Sequence, residues 1–155
     1  MKTTEFSAKI THCSFDELKE EEKALILAAK AASENSYSPY SHFQVGAAML
    51  LDNGKTFTGC NQENVAYPSG LCAERACIFS AGSVSPESKP IMMAVAAQTQ
   101  GKFTHTPIMP CGACRQVMVE VEARYSSNLR LLLYGTDEII VFESAQSILP
   151  FAFAF

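Results

Sequence analysis

Three cysteines constrain this chain more than any other residues: Cys72 in Cys72-Ala73-Glu74, and Cys111 and Cys114 in Pro110-Cys111-Gly112-Ala113-Cys114. Together they offer three thiols to one metal ion, with the Glu74 carboxylate beside them. For that, segments far apart in the chain have to meet. A zinc ion with three protein ligands keeps a fourth position for water, and a neighbouring carboxylate can move that water's protons. The pattern points to hydrolysis. The alternative is a closed structural zinc site whose fourth ligand is His42, His105, Cys60 or Cys77. Cys77 lies five residues after Cys72, about 140° away around a helix, so it does not share that face. The other candidates stay open at this point.

The local setting suits thiolates. Cys111 and Cys114 are three apart, which at a helix start places both on one face, about 60° apart in azimuth. Pro110 fits just before or at the first helical position. Cys72 also lies near a helix start. Free N–H groups and the helix dipole there favour negative charge and lower thiol pKa values. Three thiolates on a divalent ion leave a net negative site, which opposes loss of a proton from water. A cation should compensate, and Arg75, directly after Glu74, is the first candidate for hydrogen bonding to the sulfurs. Arg115 is the second. Cys13, Cys60 and Cys77 read as small buried hydrophobes.

The order of elements sets the expected fold. Asp16 to Lys19 can cap a helix, with Leu18, Leu25, Ile26 and Ala29 at helical spacing through Ala32. Phe43 to Leu51 and Lys55 to Cys60 read as strands around the Asp52-Asn53-Gly54 turn. Residues 61–70 form a polar loop, and Leu71 to Ala81 a helix stopped near Gly82. Ile91 to Ala97 is an unbroken apolar strand, as in a sheet covered on both faces. Residues 101–110 are loop, Cys111 to Tyr125 a helix, and Leu129 to Tyr134 and Ile139 to Phe142 the last strands. Ser144 to Leu149 is a final helical turn or two. Helices between strands imply crossovers, hence α/β: a three-layer α/β/α fold on a mixed, about five-stranded sheet. A chain of 155 residues fits one domain, 1–155.

Charge narrows the partners. The net charge is −4 and Lys and Arg nowhere concentrate, so long nucleic acid is not expected as a partner. No signal core or membrane span is visible, and a cytoplasmic, reducing setting would keep the six cysteines as thiols. Charged residues are only 18% of the chain, below the usual quarter or so. Either another subunit covers part of the surface or one chain holds a large core. The apolar tail Phe151-Ala152-Phe153-Ala154-Phe155 favours the oligomer.

These residues resemble the zinc-dependent cytidine deaminases. Cys72-Ala73-Glu74 with Pro110-Cys111-x-x-Cys114 is similar to the family's signature, with Cys in the first ligand position where related deaminases have His. Tyr37 to Ala48, Gly59 to Asn64, Tyr67 to Arg75 and Pro110 to Gln116 resemble its other motifs, in order, from about Glu17 to Phe153. The resemblance points to the small, homotetrameric, three-cysteine branch acting on free nucleosides. It implies one Zn²⁺ per chain on Cys72, Cys111 and Cys114, with Glu74 as the proton shuttle. Cytidine and deoxycytidine would become uridine and deoxyuridine plus ammonia, in pyrimidine salvage. Other cytosine nucleosides such as blasticidin S are the alternative substrate. Asn61 and Glu63 match the ribose-binding pair, Phe43 the base-pocket lining, Ala73 a backbone N–H near the ring, and Phe153 a C-terminal cover from another subunit. Tyr67 would contact a neighbouring subunit's nucleoside. Gln44, Val65 and Phe151 depart from the family pattern.

Overall fold

One mixed sheet organises the chain in a computed structural model, which describes residues 1–154. Its strands are β1 (Thr11–Cys13), β2 (Phe43–Leu51), β3 (Thr56–Cys60), β4 (Pro90–Thr99), β5 (Lys102–Phe103), β6 (Arg130–Tyr134) and β7 (Ile139–Phe142). Three helices of more than two turns accompany them: α1 (Glu20–Ser33), α2 (Ala73–Val84) and α3 (Gly112–Tyr125). The strands lie in the order β1-β7-β6-β4-β2-β3, and β5 pairs with β4. Every pairing is antiparallel except β4 with β6. A parallel pair needs a crossover, and α3 supplies it. No helix among the described residues is long and apolar enough to cross a membrane.

Alternation along the central strands builds two cores. Ala47, Met49 and Leu51 of β2 and Met93, Val95 and Ala97 of β4 pack with Ala73, Cys77, Ile78, Cys114 and Met118 of α2 and α3. The intervening Ala48, Met92, Ala94 and Ala96 pack with Leu25, Ile26 and Ala29 of α1. With helices on both faces, the strand residues are apolar at nearly every position. This is the expected three-layer arrangement.

The sheet has seven strands rather than about five. The two additions are short edge pieces: β1 pairs with β7, and β5 folds back on β4 at Gln98 and Thr99. Neither has enough residues for a periodic signal. The first helix also begins later than expected. Glu17 turns back to accept from Ser14 N (2.7 Å) and Oγ (2.8 Å), closing a 3-10 turn over Phe15–Glu17. Leu18 is then extended, and α1 starts after Lys19, whose N–H donates to Glu22 Oε2 (2.9 Å). α2 passes through Gly82 and ends at Val84, a helical glycine costing only about 1 kcal/mol relative to alanine.

One sheet end collects the ends that matter for a site. The register pairs Gly46 with Cys60 and Phe43 with Thr99. The start of β2 therefore lies beside the ends of β3 and β4. α2 and α3 both follow chain leaving that end and pack on the same sheet face. Gly59 lets α2 come close: a Cβ there would stand 2.5 Å from Cys77 N and 2.8 Å from Ala73 O.

A buried carboxylate closes the other end of α3. Glu122 is 4% exposed. It accepts from Leu129 N (2.7 Å), Ala145 N (2.8 Å), Gln146 N (3.3 Å) and Ser144 Oγ (2.9 Å). It thereby joins α3 to the start of β6 and to the 3-10 turn over Ala145–Ile148. Replacing it leaves buried N–H groups without an acceptor. Glu122→Ala is expected to destabilise the chain by about 2–4 kcal/mol, read as a lower urea midpoint. A midpoint within error of wild type would contradict this role.

Candidate metal centre and active site

Cys72 and Cys111 occupy equivalent places. Each is the residue before a helix, with extended backbone (φ −71°, ψ 155° and φ −65°, ψ 164°). Each carbonyl accepts the first helical bond, from Ala76 N (3.1 Å) and Arg115 N (3.0 Å). Pro110 therefore lies one residue before the cap, where its ring restricts the approach without costing a helical hydrogen bond. Cys114 sits one turn into α3 and is buried, while Cys72 is half-buried and Cys111 exposed. The sulfurs of Cys72, Cys111 and Cys114 all lie within 4.8 Å of one another. Cys72 Sγ is 3.7 Å from Cys111 Sγ, which is 3.5 Å from Cys114 Sγ.

Three thiols this close cannot all ionise by themselves. Two like charges about 4 Å apart repel by about 4 kcal/mol at an effective dielectric constant of about 20. The thiols therefore divide. Hydrogen bonding from Cys114 is the main cause that brings the Cys72 thiol down to about 5, with Arg75 and Cys111 adding to it. The same bond, with burial and the nearby Glu74 charge, pushes Cys114 up. A divalent cation removes that conflict, and an all-sulfur set selects a soft or borderline ion such as zinc. The residues present fit zinc.

The neighbours of the sulfurs are a base and a cation. Glu74, in the first turn of α2, is 3% exposed. Burial raises its pKa, the Cys72 charge raises it further, and a hydrogen bond to Cys114 acts the other way. Arg75 Nη2 donates to Cys72 Sγ (3.6 Å). Bonding to Cys72 is the main cause that raises the Arg75 pKa, and Cys114 contributes. Arg115, the second candidate, does not reach the sulfurs. Its Nε donates to Pro110 O (2.7 Å) and its Nη1 to Ile148 O (3.2 Å).

A cavity of about 580 Å³ opens beside Cys72 and Arg75, and Tyr40, Asn61, Glu63 and Tyr67 also line it. That volume suits a small organic ligand. Glu63 Oε2 accepts from Tyr40 N (2.9 Å) and Ser41 N (3.3 Å). The Ser41 hydroxyl is the main cause that lowers the Glu63 pKa, followed by the Tyr40 amide. These two partners, in the turn before β2, carry no sequence signal beyond turn composition. Asn61 is more committed to the protein than its sequence pattern suggests. Its Oδ1 accepts from Val45 N (2.8 Å) and Ser36 Oγ (2.5 Å), and its Nδ2 donates to Phe43 O (2.9 Å). An amide has two N–H donors, so one remains for a ligand.

The remaining expected residues are scattered. Ala73 is fully buried at the start of α2. Phe43 is half-buried and packs against the core that contains Cys114. Tyr67, in a 3-10 turn, is 86% exposed. Phe153 does not cover the cavity of its own chain. It lies in a separate groove with Ile78, Val117 and Val121, held there by Gln116 Nε2 donating to Phe153 O (2.8 Å) and Phe153 N donating to Gln116 Oε1 (2.9 Å). Phe155 of the apolar tail lies outside the described residues. Among the alternative fourth ligands, Cys77 is buried and donates to Phe57 O (3.3 Å), and burial pushes its thiol up to about 12. His105 pairs with Asp137 (3.1 Å), and the Cys60 sulfur accepts from Gln62 Nε2 (3.2 Å). Among the described residues only Cys72, Cys111 and Cys114 form a metal-competent cluster.

Comparison with known proteins agrees with this geometry. The profile of the cytidine and deoxycytidylate deaminase zinc-binding region matches residues 19–126. A cytidine deaminase of Sporosarcina psychrophila is 48% identical over 96 residues, 62% of this chain and 66% of that protein. One of Halalkalibacterium halodurans is 45% identical over 97 residues, 63% and 69% of the two chains. The match thus spans about two thirds of the length of these relatives. The crystal structure of cytidine deaminase from Burkholderia pseudomallei superposes with a TM-score of 0.72 at 42% identity, over 88% of this chain and 100% of that one. With the family model matching most of the chain, this chain belongs to the zinc-binding cytidine and deoxycytidylate deaminases.

Proposed function

We propose that this chain, as one catalytic domain, hydrolyses cytidine and deoxycytidine to uridine and deoxyuridine, releasing ammonia. The observation that carries this reading is the meeting of three sulfurs within 4.8 Å beside a buried carboxylate. Cys72, Cys111 and Cys114 would hold one zinc ion. Zinc there supplies Lewis-acid chemistry that makes water a nucleophile near neutral pH. Glu74 takes a proton from the attacking water, delivers one to N3 of the pyrimidine, and assists departure of the C4 amine as ammonia. One carboxylate serves each transfer in turn. Burial suits it to that task, because a carboxyl with a raised pKa both accepts and returns a proton readily. Arg75 offsets the charge of the sulfurs, beginning at Cys72.

The ribose would lie in the cavity against Glu63 and the free N–H of Asn61. Tyr40 and Ser41 hold Glu63 in place for that contact, and Asn61 is fixed by the start of β2. Phe43 would support the base from the core side, and the Ala73 N–H at the start of α2 would meet the ring. Tyr67 would reach a neighbouring subunit's nucleoside. Phe153 is held away from this cavity in its own chain, so a covering role for it belongs to a second subunit. A homotetramer with shared sites accommodates both. Pyrimidine salvage in the cytoplasm is the matching setting for a small, metal-dependent nucleoside hydrolase.

Two experiments separate these roles. Glu74→Ala and Glu74→Gln are expected to lower kcat on cytidine by at least about 10²–10⁴-fold, while zinc content and Tm stay near wild type. Wild-type turnover in either variant would refute the proton-transfer role. Cytidine is expected to be converted far faster than free cytosine, followed by the change in ultraviolet absorbance. Equal rates would contradict the ribose contacts given to Asn61 and Glu63.

A further inference from the structure

Arg115 and Gln116 follow Cys114 directly, and the chemistry above uses neither. Arg115 spends its guanidinium on two carbonyls, Pro110 O through Nε (2.7 Å) and Ile148 O through Nη1 (3.2 Å). One side chain thus joins the residue before the Cys111 cap to the C-terminal segment. Its backbone N–H also donates to Cys111 O (3.0 Å), so a single residue holds Pro110 and Cys111 from both directions. Gln116 forms its reciprocal pair with the Phe153 backbone (2.8 and 2.9 Å). Further along α3, Glu122 accepts from Ser144, Ala145 and Gln146. α3 therefore grips residues 144–153 at three levels, almost entirely through backbone atoms. Of the three gripping side chains, only Arg115 also bonds to the segment entering Cys111.

A guanidinium is a rigid planar fork. Anchoring one arm on Ile148 O restricts the side-chain torsions and aims Nε at Pro110 O. Fixing that carbonyl sets the plane of the peptide that leads into Cys111, and with it the direction of the Cys111 sulfur. Cys111 is the exposed member of the three, with the least packing of its own to hold it.

We propose that Arg115 is a positioning residue that transmits docking of the C-terminal segment to the metal loop. This rests on reading the three sulfurs as the zinc site. The test uses the full-length, zinc-loaded protein as wild type, Arg115→Ala, Gln116→Ala and the double variant. It follows zinc release to a chromogenic chelator, hydrogen exchange of residues 144–153, and Tm. Arg115→Ala is expected to release zinc about tenfold faster, the low end for residues that support metal ligands. Gln116→Ala, which loosens the segment only, is expected to speed release by a smaller factor. That factor disappears when Arg115 is already Ala, because the link has been cut. Wild-type release from Arg115→Ala, or a Gln116→Ala factor that persists in full in the double variant, would overturn the proposal. If Arg115→Ala does not fold, Arg115→Lys is expected to give an intermediate rate, and a wild-type rate would count against the link. Faster exchange in Gln116→Ala with unchanged zinc release would do the same. A wild-type protein that holds no zinc would refute the metal reading itself, a different result from any of these.

Discussion

Mutual repulsion among three sulfurs is the constraint on which the site depends. Bringing Cys72, Cys111 and Cys114 within 4.8 Å is unfavourable for three thiolates unless a cation shares the space. The fold imposes the convergence from outside. α2 lies almost against β3 because Gly59 has no side chain. α3 is the crossover that the parallel β4–β6 pair requires. Both helices start from one end of the sheet and bring their positive dipole ends to where the negative charge gathers. A metal centre is therefore a product of topology as much as of ligand choice.

Around the sulfurs, charge is arranged in opposition. Arg75 bonds to Cys72, while Glu74, one residue earlier, is buried and has its pKa raised. Both side chains interact with Cys114, the carboxyl from a buried position and the cation from a half-buried one. The cavity beside Cys72 and Arg75 is lined by another carboxylate, Glu63, whose pKa is lowered by Ser41 and Tyr40. A buried carboxyl beside the sulfurs and a hydrogen-bonded carboxylate in the cavity lining thus have their pKa values moved in opposite directions.

Much of this was legible in the residues. The near-continuous apolar stretch of β4 implied a doubly covered strand, and Cys72-Ala73-Glu74 with Pro110-Cys111-x-x-Cys114 implied a family and an ion. What escaped depended on long-range partners. β1 and β5 are too short for a pattern and exist because β7 and β4 offer them edges. The Asn61 amide is largely consumed by Val45, Phe43 and Ser36, which its spacing from Glu63 does not reveal. Arg115, the second candidate after Arg75 for a charge beside the sulfurs, bonds two carbonyls. Phe153, matched to a cover over the base from another subunit, lies within its own chain in the groove with Val117 and Val121, its backbone held by Gln116. In each case the residue type was informative, but the partner was set by tertiary packing.

X-ray absorption at the zinc edge of the resting wild-type protein tests the central claim most directly. The account predicts one zinc per chain with three sulfurs at about 2.3 Å and one lighter oxygen ligand at about 2.0 Å. Four sulfur neighbours, a histidine signature in the outer scattering, or a chain purified active without zinc would contradict it.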